Sequence, residues 1–229
     1  MARDIVVLVH GFFRGPRDMH RLARHLSAAG YEIVAPRLPT TFGTLADCSE
    51  RLAVAVDALP REPGRTLHFV SHSMGGLVIR HYLAQHVVPG LGRCVFIAPP
   101  NAGSALADLW RRWRLLSPVR IVRGLDCLCT DAPAIPVPAG GAAPEIGIIA
   151  GNRNNLLFGK LCLPAESDGR VTVAAARCEG LTDFLTVPLG HRQIHHDADI
   201  ARQVEHFLRT GRFDSGRSSQ NSAAGQRFV

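Results

Sequence analysis

The sequence lacks any apolar stretch approaching the roughly 20 residues that a helix needs to cross a bilayer. It also lacks the series of a basic stretch, a long apolar segment and a small-residue cleavage site, because the strand-like residues 5–9 follow almost at once. We therefore expect no signal peptide, no transmembrane segment and a cytoplasmic location. At 229 residues, the chain is long enough for one substantial hydrophobic core and predicts a single domain.

Lysine is almost absent, since the basic residues are 25 arginines and the single Lys160. The arginines are scattered along the chain, whereas a nucleic-acid-binding protein concentrates its basic residues in a patch or stripe. This distribution is typical of a solvated surface, and we expect no nucleic-acid partner. The net charge of +7 still predicts a weak attraction to anionic membrane surfaces.

The six cysteines lack the spacing of a zinc site. Only one residue separates Cys127 from Cys129, whereas zinc ligands are separated by about two to four residues and come in two pairs. Cys48 and Cys94 lie in apolar helix-like and strand-like patterns, which predicts buried thiols. A chain of this length also does not need disulfides to hold its fold.

Short apolar runs alternate with amphipathic helical patterns along the chain. This alternation predicts an α/β fold with a mostly parallel central sheet flanked by helices. The helix with the clearest pattern has Met19, Leu22, Ala23 and Leu26 on one face and ends at Gly30. Strands are predicted at residues 5–10, 31–38, 67–70, 94–98, 146–150 and 184–187, and further helices at residues 45–59, about 74–86 and from about 197.

Two regions depart from this alternation. Residues 101–145 include a tryptophan- and arginine-rich segment, 110–116, and then a stretch rich in proline, glycine and alanine. We predict a small cap or loop insertion, in which residues 110–116 are either part of a lid or a helix packed against the core. The polar composition of residues 214–229 predicts a disordered tail after a domain of residues 1–213.

Residues 71–76 read Ser-His-Ser-Met-Gly-Gly and join a predicted strand to a predicted helix. A tight turn between a strand and a helix strains its central residue and lifts that side chain above the sheet. Ser73 occupies this position, and Gly75 supplies the small residue that lets the helix approach the strand. Ser71 replaces the first glycine of the Gly-x-Ser-x-Gly pattern and is small enough to fit. We predict Ser73 as a nucleophile; the alternative is a serine-rich turn that only caps a helix.

The loop at the end of the first predicted strand reads His10-Gly11-Phe12-Phe13. Acyl transfer creates a negative oxygen that needs two preorganised donors, each worth about 3 kcal/mol. The backbone N–H groups of Phe12 and Met74 are the candidates, although an ordinary strand-to-helix turn would look similar. Phe12 and Phe13 also predict an apolar substrate pocket.

His72 lies directly before Ser73 at the end of a predicted strand. It therefore borders the predicted cleft and is a further candidate substrate-binding residue. A purely structural role at the strand end is the alternative for His72, and the same holds for His10.

A serine nucleophile needs an acid and a histidine that follow it in the chain. The candidate acid is Asp168, which lies in a polar turn before a short apolar run. The alternatives are Asp126, Asp131 and Asp183.

The candidate base is His191, in the loop between the last predicted strand and the last helix. His195 is the main alternative, although we interpret His195 and His196 as exposed polar positions. A metal site formed by these three histidines and Asp197 lacks the His-Glu-x-x-His spacing of a helical zinc site. We therefore predict no bound metal.

These motifs together resemble the small lipase and esterase branch of the α/β-hydrolases. The resemblance covers about residues 5–213 and rests on residues 10–12, 71–76, 168–171 and 191–213. It implies the α/β-hydrolase fold with little or no lid, and Asp168 and His191 as the partners of Ser73.

The activity implied by this resemblance is hydrolysis of small-molecule or lipid esters through an acyl-enzyme, without metal or organic cofactor. Acyl transfer to an alcohol and thioester cleavage use the same machinery and remain alternatives. A catalytically silent binding module is an alternative of another class. The oligomeric state is not predicted.

Overall fold

The structure is a computed structural model that describes residues 3–60, 62–115, 122–135, 144–154 and 166–214. In these ranges, six strands form one parallel sheet with the order β2-β1-β3-β4-β5-β6. The strands are β1 (Ile5–Val9), β2 (Glu32–Val34), β3 (Leu67–His72), β4 (Leu91–Ile97), β5 (Ile146–Gly151) and β6 (Asp183–Val187). The helices are α1 (His20–Ala28), α2 (Leu45–Asp57), α3 (Met74–Gln85), α4 (Ala105–Leu115), α5 (Val173–Ala176) and α6 (Ala198–Thr210). Short 3-10 helices span Pro16–Met19, Arg123–Leu128 and Ile194–His196.

Parallel pairing brings the carboxyl ends of the strands to one edge of the sheet. Val9 in β1 lies opposite Ser71 in β3, and Gly151 in β5 lies opposite Val187 in β6. The loops that follow these four strands therefore leave the sheet at the same edge, where open α/β sheets bind their ligands.

Helices cover both faces of the sheet. Alternate residues of β1 enter two separate core clusters: Val7 packs with residues of α2 and α3, and Leu8 packs with residues of α1 and α6. Because all five residues of β1 are buried, the strand reads as a continuous apolar run rather than an alternating one.

The predicted α/β architecture is confirmed; the short helix α5 was not predicted, and other differences lie at element boundaries. β2 has three residues instead of the predicted 31–38, and Pro36, two residues after its end, has no N–H to donate to the sheet. β3 is two residues longer than predicted, since Ser71 and His72 still pair with β4.

The predicted insertion is described only in part. It contains α4 and the 3-10 helix Arg123–Leu128, which pack against each other. Ala107 is buried, but Trp110 is 54% exposed, so the predicted packing of this segment against the core does not extend to Trp110. Residues 116–121 and 136–143 lie outside the described residues, and the assignment of a cap stays a prediction.

The C-terminal end of the described chain is ordered at Asp214, whose backbone N–H donates to the Gln203 side chain over 2.8 Å. The remainder of the predicted tail, residues 215–229, lies outside the described residues. No helix in the described part of the chain combines the length and apolar character that crossing a membrane requires.

The predicted core thiols are confirmed. Cys48 and Cys94 are fully buried, and burial raises the pKa of Cys48 to about 12. Cys127, Cys129 and these two are free thiols, as is Cys178. Cys162 lies outside the described residues.

Candidate active site

Ser73 lies at the turn between β3 and α3 in a strained backbone conformation. Its φ of 55° and ψ of −128° are unusual for a residue other than glycine. The backbone N–H of Ser73 donates to the carbonyl oxygen of Ile97 over 2.8 Å, which ties the turn to β4. This is the strand–turn–helix geometry that the sequence predicts for residues 71–76.

Two glycines allow the close approach that this turn requires. A Cβ atom at Gly75 would lie 2.4 Å from the carbonyl oxygen of Val9, so only glycine fits where α3 crosses the end of β1. A Cβ atom at Gly11 would lie 3.0 Å from the Cβ of Ser73. Ser71, which replaces the usual glycine, fits in a buried position, where its hydroxyl has no hydrogen-bond partner among the described residues.

The three residues predicted as acid, base and nucleophile form a continuous hydrogen-bonded chain. His191 Nε2 lies 3.0 Å from Ser73 Oγ, and His191 Nδ1 lies 2.7 Å from Asp168 Oδ2. A carboxylate only accepts, so Nδ1 carries the proton and Nε2 is free to accept from the serine hydroxyl. The arrangement can therefore remove the hydroxyl proton of Ser73.

Asp168 is buried, and both of its carboxylate oxygens and its backbone carbonyl oxygen accept hydrogen bonds. Its second carboxylate oxygen accepts the backbone N–H groups of Arg170 and Val171 over 2.9 and 2.8 Å. Its backbone carbonyl accepts the N–H of His191 over 2.9 Å. Asp168 thus fixes both the ring and the backbone of His191.

The alternative acids have other surroundings. Asp183 accepts from the backbone N–H groups of Phe184 and Phe213. Asp131 pairs with Arg111 through two hydrogen bonds, and Asp126 lies in the 3-10 helix Arg123–Leu128.

The prediction that His195 is exposed is wrong, because its relative exposure is 1%. His195 Nε2 lies 3.0 Å from Asp18 Oδ2, so His195 pairs with Asp18 and not with Ser73. His196, also predicted to be exposed, is partly buried, and its Nε2 lies 3.5 Å from the other oxygen of Asp18. Sequence patterns gave no signal for Asp18, which precedes His195 by 177 residues.

His72 is buried beside this pair. Its Nε2–H donates to the backbone carbonyl of His191 over 3.0 Å, and its ring stacks on His195 with 3.7 Å between centroids. Burial holds the pKa of His72 well below its ordinary value, so the ring is neutral. With a relative exposure of 3%, His72 is buried against the loop of His191, and its role in substrate binding stays a prediction.

The loop predicted to supply an oxyanion donor is held from both sides. His10 Nε2 accepts the backbone N–H of Leu38 over 3.2 Å, and its Nδ1–H donates to the carbonyl oxygen of Gly11 over 3.1 Å. The hydroxyl of Thr40 donates to the same oxygen over 3.1 Å. Neither Leu38 nor Thr40 was predicted to support the site, since no motif marks them.

Met74 directly follows Ser73, and Phe12 follows Gly11, at which an added Cβ atom would lie 3.0 Å from the Cβ of Ser73. Met74 is the first residue of α3, where the backbone N–H has no acceptor within its own helix. Phe12 is partly buried and packs edge-to-face on Phe13, which is 53% exposed. The roles of the Phe12 and Met74 N–H groups as oxyanion donors, and of the two aromatic rings in substrate binding, stay predictions.

One cluster beside this site offers metal-ligand atoms. Asp18, His195 and His196 each present one such atom, and these atoms lie within 4.8 Å of one another. A metal on the Nε2 atoms would force both Nδ1 atoms to carry protons, yet each Nδ1 is buried without a partner among the described residues. Metal-bound histidines almost always donate this second N–H, so the cluster suits a hydrogen-bonded Asp–His pair better than a metal.

The chain matches a protein-family model but no curated protein sequence. Residues 6–146, more than half of the chain, match the family model described as "Alpha/beta hydrolase family". A comparison with curated protein sequences finds no match.

Three solved structures resemble the chain. The Bacillus licheniformis lipase BlEst2 in its mature form has a TM-score of 0.74 at 22% identity, with 92% of each chain covered. A metagenomic carboxyl esterase, MGS0156, has a TM-score of 0.65 at 18% identity, with 83% of this chain and 65% of that one covered. The phospholipase PlaB from Legionella pneumophila has a TM-score of 0.59 at 22% identity, with 76% of this chain and 45% of that one covered. At these identities, the likeness shows the fold.

Proposed function

Because the chain belongs to the alpha/beta hydrolase family, we propose that it is a serine hydrolase that cleaves carboxylic esters with Ser73 as its nucleophile. The observation that carries the proposal is the hydrogen-bonded chain from Ser73 through His191 to Asp168, with contacts of 3.0 and 2.7 Å. These three hydrogen-bonded residues lie at the carboxyl edge of the sheet, next to the strained turn of Ser73. A purely structural serine cap would need neither the strain nor the buried acid.

In the proposed reaction, His191 Nε2 removes the hydroxyl proton of Ser73 as its oxygen attacks the ester carbonyl. The backbone N–H groups of Phe12 and Met74 stabilise the oxyanion, each by about 3 kcal/mol. The tetrahedral intermediate collapses, and His191 gives its proton to the leaving alcohol. Water, activated by the same histidine, then attacks the acyl-enzyme and releases the acid.

Asp168 has two tasks in this mechanism. Its hydrogen bond to Nδ1 keeps His191 in the tautomer with a free Nε2, and its negative charge stabilises the imidazolium that forms. Neither task needs a metal ion or an organic cofactor.

Three features support an ester with an apolar acyl group as the substrate. The Phe12 and Phe13 rings lie beside the proposed oxyanion loop, and Phe13 offers exposed apolar surface. The related structures are named lipase, carboxyl esterase and phospholipase. Each buried methylene contributes about 0.8 kcal/mol, so acetyl esters should not be optimal, and we expect a preference near about four to eight acyl carbons.

The test is hydrolysis of p-nitrophenyl esters of increasing acyl length by the wild-type protein and by Ser73→Ala. The wild type should hydrolyse them without added metal and in the presence of EDTA. Ser73→Ala should lose activity by a factor of about 10⁶, because the triad acts as a unit. Residual turnover within about tenfold of wild type would mean that the nucleophile is another residue.

The alternatives give different results in the same assay. An acyltransferase would release one equivalent of p-nitrophenol in a burst and then need an alcohol acceptor for turnover. A thioesterase would prefer acyl thioesters over the matching oxygen esters. A silent binding module would release no p-nitrophenol at all.

A further inference from the structure

His191 is held by its backbone as well as by its ring. Its N–H donates to the carbonyl of Asp168 over 2.9 Å, and its own carbonyl accepts Nε2–H of His72 over 3.0 Å. His72 directly precedes Ser73. One hydrogen bond therefore links the turn of the nucleophile to the loop of the base.

The orientation of His72 is not set by hydrogen bonds alone. Its Nδ1 is buried and has no partner among the described residues. The bond to His191 fixes one point of the ring, and stacking on His195, at 3.7 Å and 20° between planes, fixes its plane.

His195 in turn is anchored by Asp18. Nε2–H of His195 donates to Asp18 over 3.0 Å, and both groups are largely shielded from water. Burial acts to raise the pKa of Asp18, but the hydrogen bond from His195 and the positive charge of Arg14 hold it below the ordinary value, so the carboxylate is charged at neutral pH. Asp18 lies in the 3-10 helix Pro16–Met19, which follows the proposed oxyanion loop.

We propose that Asp18, His195 and His72, here called the support chain, are positioning residues that hold His191 within hydrogen-bond distance of Ser73. This inference rests on the proposed function. Within the support chain, His72 contacts His191 in two ways: its ring lies 4.9 Å from the imidazole, centroid to centroid, and its Nε2–H donates to the backbone carbonyl of that residue. The support chain connects the segment after the oxyanion loop, the nucleophile turn and the base loop, so the three parts of the site keep one geometry.

The first test compares two substitutions of His72. His72→Phe keeps an aromatic ring for stacking but removes the N–H, whereas His72→Gln carries an N–H that reaches the same carbonyl. We expect His72→Phe to lower kcat about 10- to 100-fold at unchanged KM, as a small misplacement of a catalytic group does. His72→Gln should recover most of this loss.

The second test addresses the outer part of the support chain. His195→Phe and Asp18→Ala remove the same hydrogen bond, so each should lower kcat and the double variant should fall no further than the worse single variant. These variants also keep the proposal testable if His72→Phe does not fold. His206→Ala, which changes an exposed histidine of α6, is the matched control and should leave kcat unchanged.

Two readouts separate positioning from a general loss of stability. Values of kcat are expressed per Ser73 that reacts with a fluorophosphonate, so unfolded protein does not count. Proton NMR follows the Nδ1–H of His191, whose downfield resonance should shift or broaden in His72→Phe and return in His72→Gln.

The proposal is overturned if His72→Phe keeps kcat per reactive serine within about twofold of wild type, or if His72→Gln is as impaired as His72→Phe. Failure of the proposed function would look different. The wild type would then hydrolyse no ester, while the NMR comparison would still report whether His72 holds His191.

Discussion

Asp168 makes more contacts than a simple ion-pair partner of His191 would need. One carboxylate oxygen binds the ring, the other binds two backbone N–H groups, and the backbone carbonyl binds the N–H of His191. Every group that faces the carboxylate is an N–H donor. An amide nitrogen in place of either oxygen would therefore place a donor opposite another donor.

Asp168→Asn should therefore lower kcat by about 10⁴-fold, because the asparagine amide favours the wrong tautomer of His191. The measurement is steady-state hydrolysis of a p-nitrophenyl ester. Asp183→Asn is the matched control and should cost little activity, since Asp183 accepts from the backbone N–H groups of Phe184 and Phe213, away from the proposed site. Equal losses in the two variants would contradict the assignment of Asp168.

The grouping of Ser73, Asp168 and His191 in one site could be predicted from the sequence, because each residue lies at a recognisable strand end or turn. His195 could not be interpreted correctly in the same way. It lies in a polar run next to a helix start, which is typical of exposed residues, and its burial depends on Asp18, 177 residues earlier in the chain. A hydrogen bond between distant segments leaves no periodic pattern in the sequence.

The contact between α3 and β1 determines how the nucleophile turn is built. Gly75 and Gly76 are neighbours on the first turn of α3, yet a Cβ atom would meet different surroundings. At Gly75 it would lie 2.4 Å from the backbone oxygen of Val9, and at Gly76 it would lie 3.1 Å from the side chain of Pro99. The 2.4 Å contact with the backbone of a central strand cannot be relieved locally, whereas the 3.1 Å contact at Gly76 needs a much smaller shift.

Gly75→Ala should therefore destabilise the protein by about 1–3 kcal/mol or more, although alanine favours a helix by about 0.5–1 kcal/mol. Gly76→Ala, the matched control, should cost less, because its tightest contact is 3.1 Å rather than 2.4 Å. Urea unfolding followed by circular dichroism measures both values. A stability of Gly75→Ala equal to or above that of Gly76→Ala would contradict this packing.

Element boundaries were predicted less well than the elements themselves. The type and order of the strands and helices follow from apolar periodicity, but β2 ends early at Val34 and β3 runs on to His72. Periodicity does not report where pairing stops. After β2, Pro36 removes a backbone donor, and at β3 the partner strand β4 continues far enough to pair with Ser71 and His72.

Three buried histidines make the stability of the folded protein depend on pH. Burial lowers the pKa of His10, His68 and His72 below the value of 6.5 that applies to an exposed histidine. Below pH 6.5, the unfolded chain therefore binds protons that the folded protein does not bind, and unfolding becomes more favourable as the pH falls.

The free energy of unfolding should be constant just above pH 6.5 and fall below it, by up to about 1.4 kcal/mol per pH unit for each histidine. Urea unfolding across this range measures the slope. His68→Gln should reduce the slope by about one proton, whereas His206→Gln, at an exposed position, should leave it unchanged. A free energy of unfolding that rises on acidification would contradict the neutral state of these histidines.

The assignment of Ser73 as the nucleophile can be measured without knowing the substrate. The folded protein is treated with a fluorophosphonate, its intact mass is determined, and the modified peptide is sequenced by mass spectrometry. Ser71 serves as an internal comparison on the same peptide, because its hydroxyl is buried and has no hydrogen-bond partner in the part of the chain that the structure describes. We predict one probe per chain, attached to Ser73, and no labelling of Ser73→Ala or of the heat-denatured protein. Labelling at another residue, or none in a folded wild-type protein, would contradict the account.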